Sequence, residues 1–310
     1  MAATQRCRVA RLVGDAIQTK SEPWQRIAVA IPYLWLFVFF LAPFAIIFKI
    51  SLADPILALP PYSPSFDSDG NSAMSLNNYA FLFSDKLYVI TYLRSVAMAF
   101  LTTVLCLLLG FPMAYGIARA SAATRSLLLL LIVLPFWISF LLRVYAWMGL
   151  LNNHGIINNL LLWLGVIDQP LQIMYTDFAT AIGLVYSYLP FMILPLYASL
   201  ERLDLDLVDA AQDLGATRSR AFWDITWPLA RPGVIAGCLL VFIPAMGEYV
   251  IPYLLGGSDS LFIGRVLFDE FYSNRDWPLA SAVAIILLML LVVPIVLLQR
   301  AQARDKEQVT

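Results

Sequence analysis

Charge is what this chain has least of. Only 13% of its 310 residues are Asp, Glu, Lys or Arg, against about 25% in a soluble domain. A deficit of that size excludes a single water-soluble core. Histidine occurs once, as His154, in a polar stretch where solvation accounts for it. The three cysteines, Cys7, Cys106 and Cys238, are too far apart for metal-ligand spacing. Two of them lie in apolar segments, which argues against a disulfide framework or a zinc site. There is no glycine-rich nucleotide loop, no catalytic-triad pattern and no internal repeat. A membrane-embedded enzyme would need a constellation of polar residues in or near its spans, and none is evident.

What is abundant is apolar length. Hydrophobic residues make up 61% of the chain, and its mean hydropathy is +0.77. Six segments, 28–49, 95–118, 126–147, 178–200, 233–255 and 278–299, reach the length of about 20 residues needed to cross a bilayer. The expected fold is therefore all-α and integral to the membrane. A tail at 1–27 precedes a transmembrane domain at 28–299, and a second tail covers 300–310. The first apolar run exceeds the h-region of a signal peptide, about 7–15 residues, and lacks a clear small-x-small cleavage site, so it reads as an uncleaved span. Several spans contain proline, including Pro112, Pro135, Pro190, Pro195, Pro244 and Pro252. Neighbouring helices can satisfy the carbonyls that proline frees.

Lysine and arginine set the expected orientation. With the N-terminus cytoplasmic, 14 of the 20 basic residues fall inside. The segment 148–177 has none, as an outer loop should. Both termini are then cytoplasmic. Eleven acidic residues fall on the outer side against six basic ones. Such a field concentrates cations, although positive-inside topology alone also leaves outer loops acidic. In the first outer loop, 51–94, "LNNYAFLFSD" reads as a short interfacial helix.

The longest central polar connection, 201–232, is sharply punctuated. Asp206 can cap a helix, with Asp209 three positions on. "LVDAAQDL" gives about two turns, and Gly215 suits a C′ position of positive φ. Thr217 or Ser219 can cap a second helix, which Pro228 and Pro232 should stop before the fifth span begins. The product is a helix–turn–helix knob.

Asp209-Ala210-Ala211, three residues, Gly215, nine residues, Ile225, one residue, Trp227-Pro228 resembles the EAA loop of ABC importer permeases. The family pattern has glutamate at position 209 and leucine at 227, so this chain departs from it twice. The resemblance extends through "PYLWLFVFFLAPFAIIFKISL", "YSYLPFMILPLY", "VFIPAMGEYVIPYLLGG", "IGRVLF" and "NRDWPLASAVAII". These segments are similar to the spermidine/putrescine importer permeases, and most like the permease subunit of the bacterial putrescine system.

That resemblance implies a type I ABC importer (MetI-like) permease fold in the bacterial inner membrane, with no catalysis of its own. It implies a second homologous permease, two copies of a cytoplasmic ABC ATPase and a periplasmic polyamine-binding protein. No nucleic acid is expected, and no cofactor is bound by this chain, the ATP being used by the partner ATPase. Asp209, Ala210, Ala211, Gly215, Ile225 and Pro228 would form the ATPase-coupling surface, with Phe222, Ile225 and Trp227 anchoring it to the spans.

Glu248 is the candidate pathway residue. A carboxylate in a span costs about 2.5–3.5 kcal/mol on insertion scales. With Tyr249 and Tyr253 it could hold an ammonium by charge and cation–π contact, and Tyr188 adds aromatic surface. Two other readings stay open: an ion pair with Arg143, or a structural hydrogen-bonding role near the interface. Trp137, Tyr145 and Tyr186 serve either the pathway or packing. Competing functions also remain: a permease for another small solute, such as a phosphonate or ferric ion, or a stand-alone secondary transporter. The latter predicts coupling-ion sites near the midplane and no docking loop.

Overall fold

The computed structural model describes residues 23–64, 74–257 and 260–307. The acidic residues Asp67, Asp69 and Asp259, Cys7 with the rest of 1–22, and the last three residues, 308–310, lie outside the described residues. The regular structure among the described residues is helical apart from one isolated bridge between Pro55 and Tyr62.

Helix α1 comprises Pro23–Leu36, a π turn at Phe37–Leu41 and Ala42–Ser51. Its apolar window is unburied within this chain, as expected of a surface meeting lipid or another subunit. The short helix α2 (Asn77–Ser84) falls where an interfacial helix was expected. The buried Asn78 amide ties it to α1 by donating to the Ser51 and Ala53 carbonyls at 3.0 and 2.8 Å. Helix α3 (Lys86–Arg119) begins well before the expected residue 95. Asp85 sets that start by accepting the Leu87 N–H at 2.8 Å.

The third segment is not the single helix expected over 126–147. Helix α4 (Ala122–Val133) ends in a 3₁₀ turn at Leu134–Trp137, and α5 (Phe140–Leu151) with α6 (Ile156–Trp163) leaves at 93°. Pro135 starts the tighter turn, and the extended Ile138 and Ser139 complete the break. Proline alone does not dictate this outcome, since Pro112 sits inside the continuous α3.

Helix α7 (Asp177–Glu201) is the centre of the bundle, with 67% of its apolar window buried. Helix α8 (Leu205–Asp213) follows, then α9, continuous from Arg218 to Met246 through a π turn at Phe222–Thr226. Neither Pro228 nor Pro232 stops α9. The π turn ends just before Trp227, so Pro228 opens a new α-helical run, where its missing N–H is little needed. Pro232 is carried inside that run.

Helices α7 and α9 run antiparallel through the reversal at α8, and small residues let their backbones meet. A Cβ at Gly237 would lie 2.7 Å from the Met192 sulfur, and one at Gly233 would lie 2.7 Å from the Pro195 carbonyl oxygen. A Cβ at Gly110 of α3 would lie 3.0 Å from the Met192 side chain. Fully buried Met192 thus marks where α3, α7 and α9 converge, an arrangement that small residues favour within membranes.

The fifth segment breaks after Met246. Helix α10 (Val250–Leu255), α11 (Ile263–Phe268, with a π turn at Asp269–Ser273) and α12 (Trp277–Glu307) complete the fold. Among the described residues, four helices are long and apolar enough to cross a membrane, or five if the bent α4–α5–α6 pair is one span. The sixth expected segment lies on α12, whose described apolar part, Trp277–Val292, is shorter.

Candidate functional site

Two groups of residues singled out in the sequence occupy different levels of the bundle, one beside Tyr188 at the middle of α7 and one beyond its C-terminal end. The first surrounds the break in the fifth segment. Glu248 is not within a helix but in the short Gly247–Tyr249 link. One carboxylate oxygen accepts the Val250 N–H at 3.0 Å, and the other accepts the Tyr188 hydroxyl. The charge therefore starts one helix and fastens it to α7. The break is held from the far side by Gly264. A Cβ there would lie 2.5 Å from the Gly247 oxygen and 2.7 Å from the Glu248 oxygen.

Tyr249 and Tyr253 do lie together, with ring centroids 5.3 Å apart. Tyr253 is half exposed, whereas Tyr188 is buried. Beyond them, Tyr249 stacks on Phe268 at 4.2 Å and 18°, and Phe268 meets Tyr272 at 4.6 Å. Sequence reasoning singled out neither Phe268 nor Tyr272. Their signal was present in "IGRVLF" and the aromatic run after it, but only α11 folding back onto the break makes it legible.

The alternative of an Arg143–Glu248 ion pair is not realised among the described residues. The Arg143 guanidinium instead lies 5.2 Å over Phe136 and 5.6 Å over Phe140. The break at Ile138–Ser139 gives α5 its own direction and brings Phe136 back beside Arg143. Trp137 and Tyr145 are exposed, while Tyr186 packs edge-on to Trp147 at 5.4 Å. His154 is exposed in its loop.

The second group is the knob between α7 and α9. Its cap is Asp204 rather than Asp206: the Asp204 carboxylate accepts the Asp206 N–H at 3.1 Å. Leu205 is already helical, so the boundary lies two residues earlier. Gly215 has φ +90°. Its N–H donates to the Gln212 carbonyl at 2.9 Å, and the Ala216 N–H donates to Ala211 at 3.0 Å. This is a Schellman closure, which requires the positive φ that glycine provides. Thr217 then caps α9 through the Arg220 N–H.

Asp209, Ala210 and Gly215 are exposed, whereas Ala211, Ile225 and Pro228 are half-buried. Phe222 and Trp227 each come 5.7 Å from the Phe111 ring of α3, and Phe222 also approaches Tyr115. The outer face of the knob is thus open while its root is wedged into the bundle. Among the described residues, no group of three or more His, Cys, Asp or Glu side chains is arranged to hold a metal.

Residues 106–308 match the family model described as "Binding-protein-dependent transport system inner membrane component". The spermidine/putrescine transport system permease protein PotB of Escherichia coli K12 is 48% identical over 223 residues, 70% of this chain and 81% of that protein. Its Haemophilus influenzae counterpart is 40% identical over 285 residues, 91% of this chain and 95% of that protein. A solved bacterial ABC transporter that imports alginate shares the fold, at TM-score 0.66 and 18% identity, over 95% of this chain and 99% of its own. The fold is that of ABC importer permeases, as the sequence resemblance implies, and the relatives are non-catalytic transport subunits. The chain belongs to the family of binding-protein-dependent transport system inner membrane components, among relatives that include spermidine/putrescine permeases.

Proposed function

We propose that this chain is one of two permease subunits of an ATP-driven polyamine importer. The observation that carries the reading is 40% identity with a spermidine/putrescine permease across 91% of the chain. The chain sits in the bacterial inner membrane with six spans and both termini cytoplasmic, in keeping with the placement of its basic residues. It forms half of the pathway beside a second homologous permease. Two ATPase copies dock on the cytoplasmic side, and a periplasmic polyamine-binding protein delivers substrate.

The geometry supports both halves of this reading. At the cytoplasmic end, exposed Asp209 and Ala210 form a low surface that a partner groove can approach, and Gly215 closes the turn behind it. The aromatic root at Phe111, Phe222 and Trp227 makes the knob a lever on α3 and α9. A rigid lever transmits closure of a partner to the spans. Beside the middle of α7, Glu248 with Tyr188, Tyr249 and Tyr253 offers a fixed carboxylate beside aromatic rings, which suits an alkylammonium.

Reconstituting the chain with its second permease, ATPase and binding protein tests the proposal. Binding protein loaded with putrescine or spermidine should stimulate ATP hydrolysis and drive uptake. Failure of both polyamines, with another solute active, would overturn it.

A further inference from the structure

The aromatic rings beyond Glu248 form a continuous series: Tyr253, Tyr249, Phe268, Tyr272, with successive centroids 5.3, 4.2 and 4.6 Å apart. Its two end residues, Tyr253 and Tyr272, are 51% and 63% exposed, so both ends are open. Tyr272 also lines a groove of about 1090 Å³ between residues 55–61 and 271–277. The series therefore runs from an open groove to the link that holds Glu248.

A cation already lies against this series. The Arg265 guanidinium sits 5.4 Å over the Tyr253 ring, within the range of about 6 Å for cation–π attraction. Its other contacts are poor. The Arg265 Nε is buried without a hydrogen-bond partner. The Asp269 carboxylate is 3.8 Å away, an ion pair but beyond hydrogen-bonding distance. A guanidinium with a buried unsatisfied donor is held weakly and has an acidic neighbour one helical turn away to receive it.

We propose that Arg265 is a resident cation on the Tyr253 ring, displaced toward Asp269 by an ammonium group of the substrate as it passes along the aromatic series. This inference rests on the polyamine reading above. Exchange of one cation for another explains how a charge of the same sign as the substrate can stand beside the route without blocking it. It also keeps the site from retaining polyamine. A conduction site must bind well enough to admit its ion and weakly enough to release it. Without the resident cation, Tyr253 and Asp269 would hold the substrate amine uncontested. Arg265 is thus a specificity and release residue, acting by competition and not by contact with the substrate.

The test is equilibrium binding of radiolabelled spermidine to the purified permease–ATPase complex without binding protein, alongside uptake by the full system in proteoliposomes. Arg265→Gln should tighten spermidine binding by roughly two- to fivefold, the range expected for one exposed cation–π contact, and should slow maximal uptake. Arg265→Lys, which keeps a cation, should bind spermidine like wild type. Tyr253→Leu changes a half-exposed side chain and should weaken binding by a similar factor. Unchanged or weaker binding in Arg265→Gln overturns the inference, and so does unchanged binding in Tyr253→Leu if the glutamine variant does not assemble. A wild-type complex that takes up no polyamine overturns the underlying functional reading, and this inference with it. Wild-type polyamine uptake combined with unaltered binding in the variants overturns this inference alone.

Discussion

The Tyr188 hydroxyl donates to the Glu248 carboxylate across 60 residues of sequence, joining the central helix of the bundle to the link that interrupts the fifth segment. The same carboxylate accepts the first N–H of α10. Glu248 is therefore a structural hydrogen-bonder and, in the proposed function, a pathway charge. The two roles are separable by experiment. Glu248→Gln keeps an acceptor for the Val250 N–H but removes the charge. It should leave the protein in the membrane and reduce polyamine uptake more than tenfold, measured across substrate concentrations. Uptake unchanged at every concentration would remove Glu248 from the pathway. Tyr188→Phe deletes a hydrogen bond to a charged group, worth about 1.5–3 kcal/mol, and should lower the thermal midpoint in detergent with a smaller loss of uptake.

Gly264 makes a second, steric claim on the same link. The added methyl of Gly264→Ala meets backbone oxygens of Gly247 and Glu248 at 2.5 and 2.7 Å. Backbone cannot swing aside as a flexible side chain can, so the break itself must move. Uptake should fall sharply while insertion persists. Gly116→Ala, whose Cβ would meet nothing within 4 Å, is the matched control and should transport normally. Equal activity in both variants would show that the position of the break is not critical.

Gly215 tests the knob by a different physical route. Nothing lies within 4 Å of a Cβ built there, so the obstacle is its φ of +90° and not space inside the chain. A β-branched residue in that left-handed conformation costs roughly 1–2 kcal/mol and favours opening of the Schellman turn. Gly215→Val should abolish uptake and ATPase association with the protein still in the membrane. Gly215→Asn, which tolerates positive φ better, should retain part of both. Normal uptake in the valine variant would count against a coupling role for the knob.

The turn at Gly215 was legible because its cause is local. A glycine after two helical turns and before a capping threonine specifies the conformation within a few residues. The extent of α7 was legible for the same reason, with Thr176 accepting the Ala179 N–H at one end. The two breaks were not. Pro112 is accommodated in an unbroken helix, whereas Pro135 precedes a bend of 93°, so proline does not by itself distinguish the cases. The interruption at Gly247–Tyr249 is backed by Gly264 and by Tyr188, both distant in sequence. An Arg143–Glu248 ion pair was one open alternative because these were the charges available within the expected spans. The turn before Arg143 instead supplies it with two aromatic rings, at Phe136 and Phe140.

The aromatic root of the knob gives the last prediction. Phe222 and Trp227 both meet Phe111 of α3 at 5.7 Å, while the surface proposed to meet a partner involves other, exposed residues, Asp209 and Ala210. Attachment to the ATPase and transmission of its movement should therefore fail separately. Phe222→Ala loses a half-buried ring worth about 1–3 kcal/mol and loosens the lever at its base. The ATPase should still copurify, but ATP hydrolysis should no longer be matched by uptake, so polyamine carried per ATP falls. Ala210→Trp, which enlarges the exposed face, should instead prevent copurification. The two effects are read from one preparation each, by partner stoichiometry and by the ratio of uptake to hydrolysis. Loss of the ATPase in Phe222→Ala, or an unchanged uptake ratio, would mean that the root does not transmit movement independently of docking.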